Sequence, residues 1–131
     1  MNQIIERLYQ EIGLQAVEFA DDLAGRLLVY AEVEEGVISA DMFYVSGPAG
    51  TVRFRECPPT MLDLIEELWA RWKELPGNRE WRVLAYVIDG ERFSIDLTYP
   101  DQIDEDQDVA DRRPVAVKKY FGDAKVNYSE P

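Results

Sequence analysis

Proton transfer and metal ligation near neutral pH most often recruit histidine, and this chain has none. That removes the usual general base, the usual nitrogen ligand and every nucleophile that an imidazole activates. The single cysteine, Cys57, has no partner for an internal disulfide and no Cys or His neighbours with which to build a zinc site. An ordinary buried or half-buried thiol is expected there. Carboxylates are the chemistry that remains. Asp104-Glu105-Asp106-Gln107-Asp108 has the spacing of a calcium-loop start, but such a loop needs Gly at its sixth position and Glu at its twelfth, where Val109 and Val115 stand. A glycosidase pair needs two acids fixed across a cleft, and 26 acidic residues supply so many pairs that no one of them is informative. Ser46-Gly47-Pro48-Ala49-Gly50 lacks the Gly-Lys-Ser/Thr ending of a phosphate loop and leads into a strand-like run, so it reads as a turn. No catalytic residue, metal or cofactor is expected, and the chain reads as a binding protein rather than an enzyme.

The charge balance is more informative. The acids outnumber 14 bases for a net charge of −12, which repels nucleic acid and anionic lipid and favours a basic protein partner. Six acids, Asp101, Asp104, Glu105, Asp106, Asp108 and Asp111, fall in one stretch with few apolar anchors. That stretch is either a solvated loop or a contact surface for a basic partner. Trp69 and Trp72 lie one helical turn apart, and Tyr99 precedes the acidic stretch; core packing and an aromatic contact surface both remain open for the tryptophans.

The elements that must position these residues follow from hydrophobic period. Ile5, Leu8, Ile12, Ala16 and Phe19 recur on one helical face from Asn2 to about Leu23, with a weak point at Gly13 and a stop at Gly25. Arg26 to Val33 and Val37 to Val45 read as strands around a turn at Glu34-Glu35-Gly36, and Thr51 to Glu56 as a third, half-exposed strand. Thr60 with Asp63 resembles a capping box for a second helix, whose apolar face is Leu62, Ile65, Leu68 or Trp69, Trp72 and Leu75 and which Pro76-Gly77 closes. Trp81 to Ile88 and Arg92 to Tyr99 form a hairpin at Asp89-Gly90. Pro100 to Asp111 is a loop, Arg112 to Phe121 a last helix with Pro114 near its first turn, and Gly122 to Pro131 a loose tail. The order α-β-β-β-α-β-β-α predicts one α+β domain over the 131 residues, a mostly antiparallel sheet of about five strands with helices packed on it. With no long apolar run and a charged start, a soluble cytoplasmic protein is expected.

In this order the chain resembles the YezG-like family of bacterial antitoxin and immunity proteins. The likeness rests on Ile4-Ile5-Glu6-Arg7-Leu8-Tyr9, Val29-Tyr30-Ala31-Glu32-Val33, Leu68-Trp69, Trp81 and Asp89-Gly90-Glu91-Arg92-Phe93. It continues through Asp96-Leu97-Thr98-Tyr99 and the acidic stretch into Lys118-Lys119-Tyr120-Phe121. The resemblance implies a non-catalytic protein, encoded beside a secreted or contact-delivered toxin that is often a nuclease domain, and neutralising it in the producing cell. Charge supports the same expectation, since nuclease clefts are basic. The expected contact surface is the loop Asp101 to Asp111, with Asp104, Glu105, Asp106 and Asp108 at its centre, helped by Tyr99 and by Glu32, Glu34 and Glu35. The expected form is a monomer or weak dimer. Two other readings stand beside it, a divalent-metal-dependent enzyme using the acidic loop and a general acidic adaptor or chaperone-like module.

Overall fold

A computed structural model describes residues 3–34, 37–104 and 106–128. The chain runs α1 (Gln3–Phe19), β1 (Leu23–Glu34), β2 (Val37–Ser46), β3 (Thr51–Glu56), α2 (Pro59–Glu74), β4 (Val83–Asp89), β5 (Arg92–Thr98), a 3₁₀ turn at Pro100–Gln102, α3 (Val109–Phe121) and β6 (Val126–Asn127). The strands form a six-stranded sheet in the order β5-β4-β1-β2-β3-β6, antiparallel except for the short β3·β6 pair. This is the α+β domain that the hydrophobic periods predict.

The long central strand β1 is apolar on both sides, as a strand covered on both faces must be. Leu27, Val29, Ala31 and Val33 meet α1 and α2, together with Met42, Tyr44, Leu84 and Tyr86 from neighbouring strands. Leu28 and Tyr30, with Phe43, Val52, Val83, Ala85 and Val87, face α3. The first core is the larger, because α1 contributes Ile5, Leu8, Ile12 and Ala16 and α2 contributes Met61, Ile65 and Leu68. Trp69 and Trp72 are half-buried at the margin of this core. The Trp69 indole N–H donates to the Trp81 carbonyl at 3.0 Å, and the Lys73 ammonium lies 4.0 Å from the Trp69 ring centroid.

Several local expectations are corrected by tertiary contacts. α1 is continuous through Gly13, and it ends at Phe19, where Asp22 (φ 51°) reverses the chain; Gly25 lies inside β1. Thr60 sits within the first turn of α2 rather than capping it. Pro58 holds the cap position with no side-chain bond, and the Thr60 hydroxyl instead donates to Gln15 Oε1 on α1 at 3.0 Å. In the β4–β5 hairpin Asp89 pairs with Arg92, so the two turn residues are Gly90, at φ 66°, and Glu91. α3 begins at Val109, three residues before Arg112, which places Pro114 in its interior. The proline has no N–H to give the carbonyl of Ala110, and Ala110 is exposed, so the lost helical bond falls on the solvent side of the helix. Residues 126–128 of the expected loose tail pack on the sheet instead: β6 adds to β3, and the Tyr128 ring lies 5.2 Å from that of Phe54. The turn residues Glu35 and Gly36 lie outside the described residues.

At Gly13 the α1 backbone lies close against Tyr86 of β4. A Cβ there would stand 2.5 Å from the Tyr86 hydroxyl, which donates to the Tyr9 carbonyl at 2.8 Å and whose ring stacks on Phe93 at 5.5 Å. Gly13→Ala gains about 1 kcal/mol of helix propensity but overpacks a filled site at a cost of about 1–3 kcal/mol and displaces a buried hydroxyl from its acceptor. Urea unfolding should therefore show Gly13→Ala to be destabilised by about 1–2 kcal/mol. The loss should shrink when Tyr86→Phe removes the hydroxyl, and an equal loss in both backgrounds would place the strain elsewhere.

Candidate functional site

Antiparallel register brings the C-terminal ends of β1 and β5 to the same end of the sheet as the start of β4, since Glu32 pairs with Val83 and Val83 with Thr98. The 3₁₀ turn and the acidic stretch leave β5 there and run to the N-terminus of α3. A polar cleft of about 360 Å³ opens at this end, lined by Glu34, Arg82, Ile103, Asp106, Gln107, Asp108 and Arg112. Residues some seventy positions apart in sequence are thus placed side by side.

The ten acids and aromatics expected at a contact surface divide by role. Glu34, Asp104 and Asp106 are exposed, and the first and last of them line the cleft. Asp101 is exposed and paired with Arg79 at 3.3 Å. Tyr99 is half-buried, with the Arg79 guanidinium 4.4 Å from its ring centroid and its backbone N–H donating to Gln102 Oε1 at 2.9 Å. Asp108 and Asp111 are exposed but committed to α3. Asp108 Oδ1 accepts from the Asp111 N–H at 3.2 Å and Asp111 Oδ2 from the Asp108 N–H at 3.0 Å, a reciprocal capping box on the positive end of the helix dipole. Glu35 and Glu105 lie outside the described residues.

Glu32 does not belong with the exposed acids. It shares the α3 face of β1 with Leu28 and Tyr30, is only 5% exposed, and accepts from Arg112 Nη2 at 2.6 Å, from Arg112 Nε at 3.0 and 3.2 Å and from the Tyr30 hydroxyl at 2.7 Å. The fourth guanidinium contact goes from Arg112 Nη1 to the Gln107 carbonyl at 2.6 Å, so one arginine ties the acidic stretch, α3 and β1 together. Its bond to Glu32 holds the Arg112 pKa above the ordinary arginine value.

Further ion pairs repeat the pattern along α3. Arg113 meets Asp41 of β2 at 2.8 Å, Lys119 meets Asp96 of β5 at 3.3 Å, and Arg26 of β1 donates to the Tyr120 carbonyl at 2.6 Å while pairing with Asp89 at 2.9 Å. α3 buries only Val117 fully, so polar contacts carry a large share of its docking. Sequence reasoning took Arg112 only as the start of a helix and missed Asp41, Arg82 and Arg113 altogether. One signal existed. An acid at the inward parity of a strand otherwise filled by Leu28 and Tyr30 must find a buried partner.

Burial raises the Tyr30 hydroxyl pKa, with Glu32 adding to the rise, and burial followed by the neighbouring Tyr9 pushes Tyr86 up to about 12. A neutral group with a raised folded-state pKa contributes stability that is complete below its unfolded value of 10.0 and disappears as pH climbs through the folded value. Stability measured by denaturant midpoint should accordingly fall from about pH 10 toward pH 12, in step with phenolate absorbance. A flat midpoint across that window would contradict the burial of these hydroxyls. Burial also raises the Cys57 thiol, with Asp41 contributing, which keeps this buried cysteine protonated and inert.

Among the described residues no group of three or more Asp, Glu and Cys side chains is placed to hold a metal ion, and no helix is long and apolar enough to cross a membrane. The chain matches no protein-family model and no curated protein.

Proposed function

We propose that this chain is a non-catalytic immunity protein or antitoxin of the YezG-like kind, which binds a cognate bacterial toxin domain in the cytoplasm of the producing cell and blocks it by stoichiometric occlusion. The toxin is basic, and a nuclease domain is the class that fits, because its phosphate-binding cleft is complementary to an acidic rim. The observation that carries the reading is that exposed Glu34 and Asp106 line one cleft at the N-terminus of α3, with exposed Asp101 and Asp104 on the segment that leads to it, on a chain of net charge −12. The buried Arg112–Glu32 pair supports it by holding the acidic stretch in one arrangement, so that less ordering is required on binding. Asp108 and Asp111 serve mainly to start α3, and Glu32 to fasten it, which narrows the contact set to the exposed acids with Tyr99 at its edge.

The test is a titration of the full chain against the toxin domain encoded beside its gene, at low and high salt, alongside that toxin's activity. One-to-one binding that abolishes activity and associates more slowly as salt rises is expected. Weak binding to many unrelated basic proteins, with no preference for the toxin, would replace this reading with that of a general acidic adaptor.

A further inference from the structure

The strand β5 is an open edge of the sheet: all seven of its residues pair with β4, and among the described residues no strand lies along its outer side. Unpaired backbone donors and acceptors along such an edge are a template for another strand. The residues Arg92-Phe93-Ser94-Ile95-Asp96 read basic, apolar, small, apolar, acidic. That order is symmetrical about Ser94 in size and polarity and opposite in charge. This is the pattern that a two-fold axis through Ser94 requires of a strand pairing with itself. We propose that β5 pairs antiparallel with β5 of a second copy of this chain about that axis, joining two six-stranded sheets into one.

In this register Arg92 stands across from Asp96 of the second copy, and the same pair recurs on the other side of the axis. Phe93 stands across from Ile95 twice, and Ser94 faces its own counterpart. Alternation puts Arg92, Ser94 and Asp96 on the face that carries α3 and puts Phe93 and Ile95 on the face of α1, where Phe93 stacks on Tyr86. Lys119 bonds to Oδ2 of Asp96 at 3.3 Å, which leaves Oδ1 to accept from the arginine opposite. A slip of two residues in register, which centres the axis on Ile95, would set Arg92 against Thr98 and Asp96 against Ser94 and lose both ion pairs, so charge selects the Ser94-centred register.

The apolar surface beside β5 fits the same occupant. Leu14 and Val17 of α1, with Phe93, flank a groove of about 330 Å³ floored by Gly13, Tyr86 and Ile88, and Leu14 and Phe93 are 67% and 51% exposed. The groove opens at the N-terminal end of β5. The Ser94-centred register lays the C-terminal half of the second copy's strand along that end, with Leu97 opposite Glu91, and covers the exposed side chains.

The experiment uses the full chain and reads association by analytical ultracentrifugation from micromolar to millimolar concentration. A reversible dimer is expected. Arg92→Asp should weaken it by roughly ten-fold or more, by turning two attractive cross-strand pairs into repulsive ones, and Arg92→Asp with Asp96→Arg should restore it. Ser94→Cys reports the register directly, since facing Cα atoms in an antiparallel pair lie about 4.5–5.5 Å apart, within disulfide reach. Mild oxidation should give a covalent dimer of Ser94→Cys and none of Ile95→Cys, while the native Cys57 is buried and stays out of the reaction. Urea unfolding of each variant establishes that it is folded. A chain that stays monomeric throughout, a dimer indifferent to Arg92→Asp, or cross-linking of Ile95→Cys in place of Ser94→Cys would each overturn the proposal.

Discussion

Glu32→Ala is expected to destabilise the protein by about 3–5 kcal/mol, read as a shift in the urea midpoint, because it leaves the Arg112 guanidinium buried without its counter-charge. The Glu32 and Arg112 side chains are only 6% and 12% exposed, so solvent, which reaches Arg112 from the cleft, replaces only part of what the substitution removes. The Tyr30 hydroxyl loses its acceptor in the same step. Glu34→Ala, two residues along the same strand but exposed, should change stability by less than about 0.5 kcal/mol and serves as the control. Replacing the whole network with apolar side chains, as in Tyr30→Phe with Glu32→Leu and Arg112→Met, should return stability close to that of the unaltered chain, since buried pairs are costly to break but not to replace. A loss below about 1 kcal/mol for Glu32→Ala would mean that the pair is hydrated and that α3 is not fastened through it.

On the proposed function, reversing Glu34, Asp104 and Asp106 to lysine should slow association with the toxin domain encoded beside the gene at low salt by about 10- to 1,000-fold, with a smaller change in dissociation. These three acids are exposed, and their side chains are outside the ion pairs that hold α3 to the sheet, so the fold should tolerate the change. Asp108 and Asp111 are poor choices for the same test because they cap α3, and lysine at the positive end of a helix dipole would loosen the helix as well as the charge. A control reversal of Glu18, Asp63 and Glu66, exposed acids on the other helices, makes the same change in net charge. If both triple variants slow association equally, overall charge rather than the α3 rim steers the encounter. If neither does, the acidic surface is not the contact. Stopped-flow association at two ionic strengths separates these outcomes, since steering fades once the Debye length drops to about 8 Å or less.

How far the fold was legible in the sequence depends on the range of the interaction that sets each feature. The α2 face, the β4–β5 hairpin and the strand Thr51–Glu56 follow from period and turn chemistry, which act over a few residues, and the structure keeps them with small shifts. The end of α1 was misplaced. Gly25 is a good local stop, but the chain already turns at Asp22, where the Gly47 N–H donates to the Asp22 carbonyl at 3.0 Å and the Ser46 hydroxyl to the Asp21 carbonyl at 2.7 Å. Gly13 reads locally as a weak point in a helix, but it is a position where the Tyr86 hydroxyl leaves no room for a Cβ, a fact that lives in β4. β6 was invisible because two residues carry no period of their own and pair only because β3 offers an edge.

The acidic stretch divides along the same line. Composition by itself determined that the chain is strongly acidic, has no histidine chemistry and carries a local run of carboxylates. Composition treats carboxylates as equivalent, and only tertiary structure distinguished them. It buried Glu32 beneath an arginine 80 positions away, spent Asp108 and Asp111 on a helix cap and left Glu34, Asp104 and Asp106 facing solvent. The physical reason is that a charge's role is set by its desolvation and by the partner within reach, and both depend on which segments the sheet register brings together rather than on neighbours along the chain.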